Sequence, residues 1–226
     1  MSKLAYNYNV RKARIVPELR GEWDGAAWDG VTVMSIDQFR IESSDHQPET
    51  KSKLLYDERH IYGIFKVKDR FVRCVRTKYQ EITSRDSCVE LFVMPKHDKG
   101  YFAFEINCGG TMLFNYITDP TRVPDGFKEF IQIPWEDGRE VRIHHSAPSM
   151  VEPECIEPLT WTIELAVPLR ILEKYVGPLG ELAGQSWKAN LFKCGDETSR
   201  PHWASWCPVD ELNFHMPRCF GEISFK

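Results

Sequence analysis

Cys88-Val89-Glu90-Leu91-Phe92-Val93-Met94 and Tyr101-Phe102-Ala103-Phe104-Glu105-Ile106-Asn107, joined by Pro95-Lys96-His97-Asp98-Lys99-Gly100, form the stretch that decides the fold. Val89, Leu91 and Val93 alternate with Cys88, Glu90 and Phe92; Phe102, Phe104 and Ile106 alternate with Ala103, Glu105 and Asn107. A period of two marks half-buried strands, and the Pro- and Gly-bounded segment between them marks a turn. With the first set of each strand facing a core, Asp86, Glu90, Glu105 and Asn107 fall on the opposite face, because alternate side chains share a face. Two carboxylates then meet on one surface of the hairpin.

The same pattern spreads outward in both directions. Ile61, Gly63, Phe65 and Val67 share one face of a strand behind an Asp57-Glu58-Arg59 turn, Phe71–Arg76 forms a short strand, and Thr111–Tyr116 continues the sheet. Trp161, Ile163, Leu165 and Val167 alternate toward a core, as do Trp187, Ala189 and Leu191, and Ile223-Ser224-Phe225 supplies a last strand. Residues 1–20 read as a strand or extended arm, and Trp23 and Trp28 plug one end of the core. Residues 119–126 and 150–158 read as Pro-containing connections, and Glu136-Asp137-Gly138-Arg139 as the tight turn of a hairpin between Phe127–Pro134 and Glu140–His145. Pro168–Tyr175 opens on Pro and runs into Gly177-Pro178, which predicts one short helix. Many short strands with frequent turns predict an all-β, antiparallel β-sandwich, built as a single domain over residues 1–226.

Length and charge narrow the function. With 226 residues and 42% hydrophobic content, the chain can bury a sizeable core. A formal charge of -4 without a basic stripe excludes a non-specific nucleic-acid binder and gives no attraction for anionic membranes. No span of about twenty apolar residues could cross a membrane as a helix. The seven cysteines are odd in number and lack a C-x-x-C spacing, so buried free thiols are expected. These thiols and an N-terminus without an apolar leader point to a reducing, cytoplasmic home, or to export if a signal peptide has been removed.

The ordered motifs carry a resemblance. Asp86-Ser87-Cys88-Val89-Glu90-Leu91-Phe92 followed by Phe104-Glu105-Ile106-Asn107 resembles the D-S-x-E-(apolar)-F and F-x-(apolar)-N pattern of family 9 carbohydrate-binding modules, a DOMON-like β-sandwich family of immunoglobulin or jelly-roll type. Leu55–Tyr62, Ala204-Ser205-Trp206 and Phe220-Gly221-Glu222-Ile223 resemble its entry and closing motifs. The resemblance implies a sugar ring held between two tryptophans. Trp206 matches one wall, Arg200 an arginine before it, and Asn190 a polar contact, with Trp203 beside them. The opposing tryptophan is replaced by Ser84 and the arginine before the apolar-Asn pair by Glu105, which leaves three alternatives: Tyr79, Trp203 or the Arg85 guanidinium replaces the lost wall, the site suits another sugar, or it has lost its ligand. Related modules hold structural calcium, for which Asp24, Asp57 and Asp69 are candidates, and the wider DOMON group binds haem, for which His97, His215, Met94 and Met216 are available. Adjacent His215 and Met216 cannot clamp opposite haem faces.

The expected function is therefore non-catalytic binding of a plant-type oligosaccharide end, such as a xylan or glucan fragment, by Arg85, Glu90, Glu105, Asn107, Asn190, Arg200, Trp203 and Trp206. No cofactor is expected, with a structural calcium as the one alternative, and the candidate partner is a glycoside hydrolase. Two other readings stay open: a glycosidase using Glu90 and Glu105 as its carboxylate pair, and a structural or partner-binding sandwich with a degenerate sugar site.

Overall fold

The computed structural model describes residues 6–226; residues 1–5 of the expected N-terminal arm lie outside the described residues. In chain order the strands are β1 Asn7–Lys12, β2 Met34–Ser35, β3 Gln38–Phe39, β4 Glu49–Tyr56, β5 His60–Asp69, β6 Val72–Cys74, β7 Cys88–Met94 and β8 Tyr101–Asn107. They continue as β9 Met112–Val123, β10 Gly126–Gln132, β11 Arg142–His145, β12 Val151–Cys155, β13 Leu159–Pro168, β14 Ser186–Cys194, β15 Trp203–Ser205 and β16 Gly221–Phe225. Two helices, α1 Trp135–Gly138 and α2 Leu169–Val176, lie between them.

The strands form the two layers of a β-sandwich. The first sheet runs β10-β9-β8-β7-β14-β16-β1 and the second β1-β4-β5-β13-β11. β1 belongs to both: Asn7–Val10 pair in parallel with Glu222–Phe225, after which Arg11 and Lys12 pair in parallel with Leu55 and Tyr56. A strand that changes sheets closes one side of the sandwich and leaves fewer open edges. Elsewhere the pairing is antiparallel, including the β7–β8 hairpin read from sequence, in which Glu90 faces Glu105 and Val93 faces Phe102. Its turn ends at Gly100, with φ of +129°, where a Cβ would meet Ile117 O at 2.5 Å. Only glycine fits there.

The core holds the residues whose alternation predicted it. Leu91, Phe104 and Trp187 from the first sheet meet Phe65, Trp161 and Leu165 from the second. Each contributes about 1.5–3 kcal/mol relative to an exposed side chain. Lys193 is a charge on this inner face, since it shares parity with Leu191. Its Nζ donates to Cys194 O at 2.9 Å and to His202 Nε2 at 2.7 Å and lies 3.4 Å from Asp69 Oδ2. Asp69 also bonds His46 Nε2 at 2.7 Å and accepts from Trp161 Nε1 at 3.2 Å. Burial would raise the Asp69 carboxyl, but Lys193 and the hydrogen bond from His46 outweigh it and hold the group well below the usual range. Burial and Lys193 push His202 down to about 3, leaving it a neutral acceptor for the lysine.

Four details differ from expectation, each for a physical reason. Residues 136–139 do not turn a hairpin: Pro134 O and Trp135 O accept from Gly138 N and Arg139 N, making α1, while Lys174 and Tyr175 of α2 hold the Asp137 carboxylate. The chain thereby crosses between sheets, and β11 pairs with β13 because β9 already occupies β10. Residues 119–123 extend β9 rather than forming a loop. Pro120, which cannot donate to the ladder, sits unpaired next to Asp119, across from irregular register at Phe127–Glu129. Residues 151–155 form β12, which pairs with β6. Trp28 covers the outer face of the second sheet, with Leu55, Tyr62 and Ile64, and donates from Nε1 to Glu164 Oε1 at 2.7 Å.

Candidate functional site

Parity along β7, β8 and β14 sends Cys88, Phe92, Tyr101, Ala103, Phe192 and Cys194 to the outer face of the first sheet. Val209, Phe214, Met216 and Phe220, from the segment between β15 and β16, pack over much of it. On the other side the β9–β10 hairpin brings Phe127 and Phe130. A cleft of about 350 Å³ lies between these covers. Glu90, Glu105, Asn115 and Cys194 form its floor, Trp203, Phe130 and Phe214 contribute aromatic sides, and Asp196, Arg122 and His215 stand around it.

The floor is a carboxyl pair in a dry setting. Glu90 and Glu105 are 3% and 6% exposed and directly opposed across an antiparallel ladder, where like charges repel. Burial, then Cys194 and Glu105, lifts the Glu90 carboxyl well above the carboxylate range. Burial and Asp196 push Glu105 up to about 7, against a smaller pull from Arg122. Glu90 is thereby held as a neutral acid, able to donate as well as accept a hydrogen bond, while Glu105 keeps its proton up to about pH 7. Cys194 Sγ donates to Glu90 Oε1 at 3.1 Å. His215 lies 3.8 Å from Glu105 through Nε2 and bonds the Tyr101 hydroxyl through Nδ1 at 2.9 Å, and its burial keeps it neutral. Asn115 is 5% exposed, and its Oδ1 is buried without a hydrogen-bond partner among the described residues. An orphaned acceptor of this kind costs about 1–3 kcal/mol until something donates to it.

The structure brings three of the eight sequence-selected residues to the cleft: Glu90, Glu105 and Trp203. Trp203 is half-buried and fixed by its Nε1–H, which donates to Asp196 Oδ1 at 2.8 Å. The Trp206 assignment is corrected by parity. Trp206 alternates with Ala204 into the inter-sheet core, is 7% exposed and packs edge-on against Tyr6, so it offers no platform. Asn190 spends its amide on the backbone of Cys207. Asn107 is likewise consumed by Arg76 O, Asp86 Oδ2 and Thr111 N. Arg200 turns away to Asp45, 3.3 Å distant, and Arg85 to Glu197, also 3.3 Å distant. Tyr79 lies outside the cleft, against Trp135.

Asn115, Asp196 and Phe130 escaped the sequence reading, and His215 entered it only as a haem-ligand candidate. Asn115 carried a usable signal, as a polar residue interrupting the outward row Leu113, Asn115, Ile117. The others reach the cleft through tertiary packing that no local period encodes. Asp24, Asp57 and Asp69 do not converge on a cation site: Asp24 is exposed, Asp57 accepts from Arg59 N, His60 N and the Tyr62 hydroxyl, and Asp69 is engaged by Lys193 and His46.

The sequence model of carbohydrate-binding family 9 matches residues 27–225. A candidate carbohydrate-binding protein from Bacteroides uniformis ATCC 8492 superposes with a TM-score of 0.83 and 26% identity, covering 99% of this chain and 100% of that one. A family 9 carbohydrate-binding module from Caldicellulosiruptor kristjanssonii, in complex with cellotriose, superposes with a TM-score of 0.66 and 13% identity, covering 98% and 94%. Such a module from the same organism in complex with glucose gives 0.62 and 13%, covering 96% and 95%. At 13% identity these two matches speak to the fold. Among curated protein sequences none matches the chain.

Proposed function

Because this chain belongs to carbohydrate-binding family 9, we propose that the cleft on the outer face of the first sheet binds the end of a plant-type oligosaccharide, a xylan or glucan fragment, without cleaving it. The observation that carries this reading is the cleft floor. The unpartnered Asn115 Oδ1, the protonated Glu90 and the buried Glu105 offer acceptors and donors for vicinal hydroxyls, beside the half-buried indole of Trp203. A sugar ring has an apolar C–H face and a polar rim, and an aromatic wall next to unsatisfied polar groups complements both.

Hydrolysis asks more of two carboxyls. One must be ionised while the other carries the proton. Burial lifts both groups here, Glu105 to about 7 and Glu90 well above the carboxylate range, so a direct assay of sugar release is what separates binding from catalysis. A glycoside hydrolase acting on the same polymer is the partner this reading implies. The seven free thiols favour a reducing compartment.

A glycan array of xylo-, cello- and mixed-linkage oligosaccharides, run beside a reducing-sugar release assay, tests the proposal. Binding without release is expected, with Trp203→Ala weakening it roughly tenfold or more. Sugar release would make the protein a hydrolase, and no bound glycan would leave a sandwich with another role.

A further inference from the structure

At the bottom of the cleft, Cys88, Glu90 and Cys194 bring two sulfurs and a carboxylate oxygen within 4.8 Å of one another. Register explains the meeting: Cys88 stands directly opposite Cys194 across the β7–β14 ladder, and Glu90 lies two residues along the same face. All three are buried, and Glu90 and Cys194 border the cleft, which provides an entry path.

We propose that Cys88, Glu90 and Cys194 form a binding site for a thiophilic divalent cation of the zinc class, entered from the cleft, whose floor it shares through Glu90. Zinc takes four ligands in a tetrahedron, about 2.3 Å to sulfur and about 2.0–2.2 Å to oxygen. Ligand atoms around one such ion therefore sit on the order of 3.5 Å apart. Cys194 Sγ and Glu90 Oε1 are already at 3.1 Å, and all three ligand atoms lie within 4.8 Å of one another. The trio supplies three ligands, so a fourth has to come from water or a ligand oxygen. Calcium and magnesium prefer six or more oxygens, so two sulfurs select against them.

The protonation chemistry is consistent with an exchange of protons for metal. Without a cation, burial keeps the Cys88 and Cys194 thiols and the Glu90 carboxyl neutral. Metal entry displaces the two thiol protons and the Glu90 proton into solvent, so three anionic donors meet a dication. Affinity therefore rises with pH, within surroundings that also include Glu105, Asp196, His215 and Arg122.

The test is titration of metal-free, reduced full-length protein with Co²⁺, followed by an equimolar amount of Zn²⁺. Expected are thiolate-to-cobalt charge-transfer absorption in the near ultraviolet and tetrahedral d–d bands in the visible, both bleached by zinc. Cys88→Ala and Cys194→Ala should abolish the charge transfer and Glu90→Gln weaken binding tenfold or more. The Cys74→Ala/Cys108→Ala double variant, which removes the other neighbouring thiols, should bind as wild type. If the Cys88 or Cys194 variants do not fold, alkylation of the wild type decides: zinc should shield these two thiols, as read by peptide mass spectrometry. No charge transfer in the wild type, bands that survive loss of both cysteines, or alkylation unaffected by zinc would overturn the proposal.

Discussion

Replacing Glu105 with glutamine should stabilise the protein above neutral pH and change little in mild acid. Glu105 is almost wholly buried opposite Glu90, and burial with Asp196 pushes its carboxyl from 4.5 up to about 7. The native state therefore holds a proton that the unfolded chain has already lost between those two values. The stabilisation from the protonated form is complete below about pH 4.5 and disappears as pH rises through about 7. At about 1.4 kcal/mol per pH unit, the interval corresponds to roughly 3 kcal/mol. In a domain of this size that is a fall in Tm on the order of 6–12 °C. The substituted amide would keep the hydrogen-bonding shape of the neutral acid with no proton to lose. Urea unfolding of both proteins at about pH 5 and about pH 8 measures the difference directly. Wild type should lose stability across that span while Glu105→Gln stays nearly flat, and Glu90→Gln should flatten the curve in the same sense. Parallel curves, with a variant-minus-wild-type difference independent of pH, would refute the dry, neutral carboxyl pair.

Trp206→Ala should lower stability by about 3–5 kcal/mol because it empties a site in the inter-sheet core, whereas Trp203→Ala should leave the unfolding midpoint nearly unchanged. Equal losses in chemical denaturation would contradict the parity assignment. Asp69→Asn removes the carboxylate beside a fully buried Lys193 and should cost about 3–5 kcal/mol, read from the same denaturation curves. A loss within about 0.5 kcal/mol would mean that Lys193 does not depend on Asp69. Thiol titration of the unfolded, unreduced protein should find close to the full set of seven. Recovery of a single thiol would show that the others pair.

Period-two alternation exposed the sheet faces well, because a strand buried on one side must repeat every second residue. Val89, Phe104, Trp161 and Leu191 all point where their pattern indicated. The same rule, applied one step further, separates the two candidate tryptophans. Trp206 shares parity with buried Ala204, and Trp203 with Ser205 on the other face. The motif resemblance pointed to Trp206 with Trp203 beside it, and the pleat turns Trp206 into the core and Trp203 to the cleft. What stayed hidden depends on distant packing. Nothing near Phe214 or His215 announces that the segment after β15 folds over the outer face of the first sheet. Likewise, Glu136-Asp137-Gly138-Arg139 carries hairpin chemistry locally, yet its Asp137 is claimed by α2. Lys193 in a core row is legible only as an anomaly until Asp69 and His202 are placed beside it.

The central claim is that the cleft bordered by Trp203 and floored by Glu90, Glu105 and Asn115 is where a sugar binds. Indole N–H resonances followed by nuclear magnetic resonance during titration with cellotriose test it most directly. Each of the seven tryptophans reports separately, and the Trp203 N–H, bonded to Asp196, lies beside the cleft. The expected result is a saturable shift of the Trp203 resonance, with the core signals of Trp161, Trp187 and Trp206 unmoved. Saturable binding that shifts the exposed Trp135 signal while Trp203 stays fixed would contradict the account.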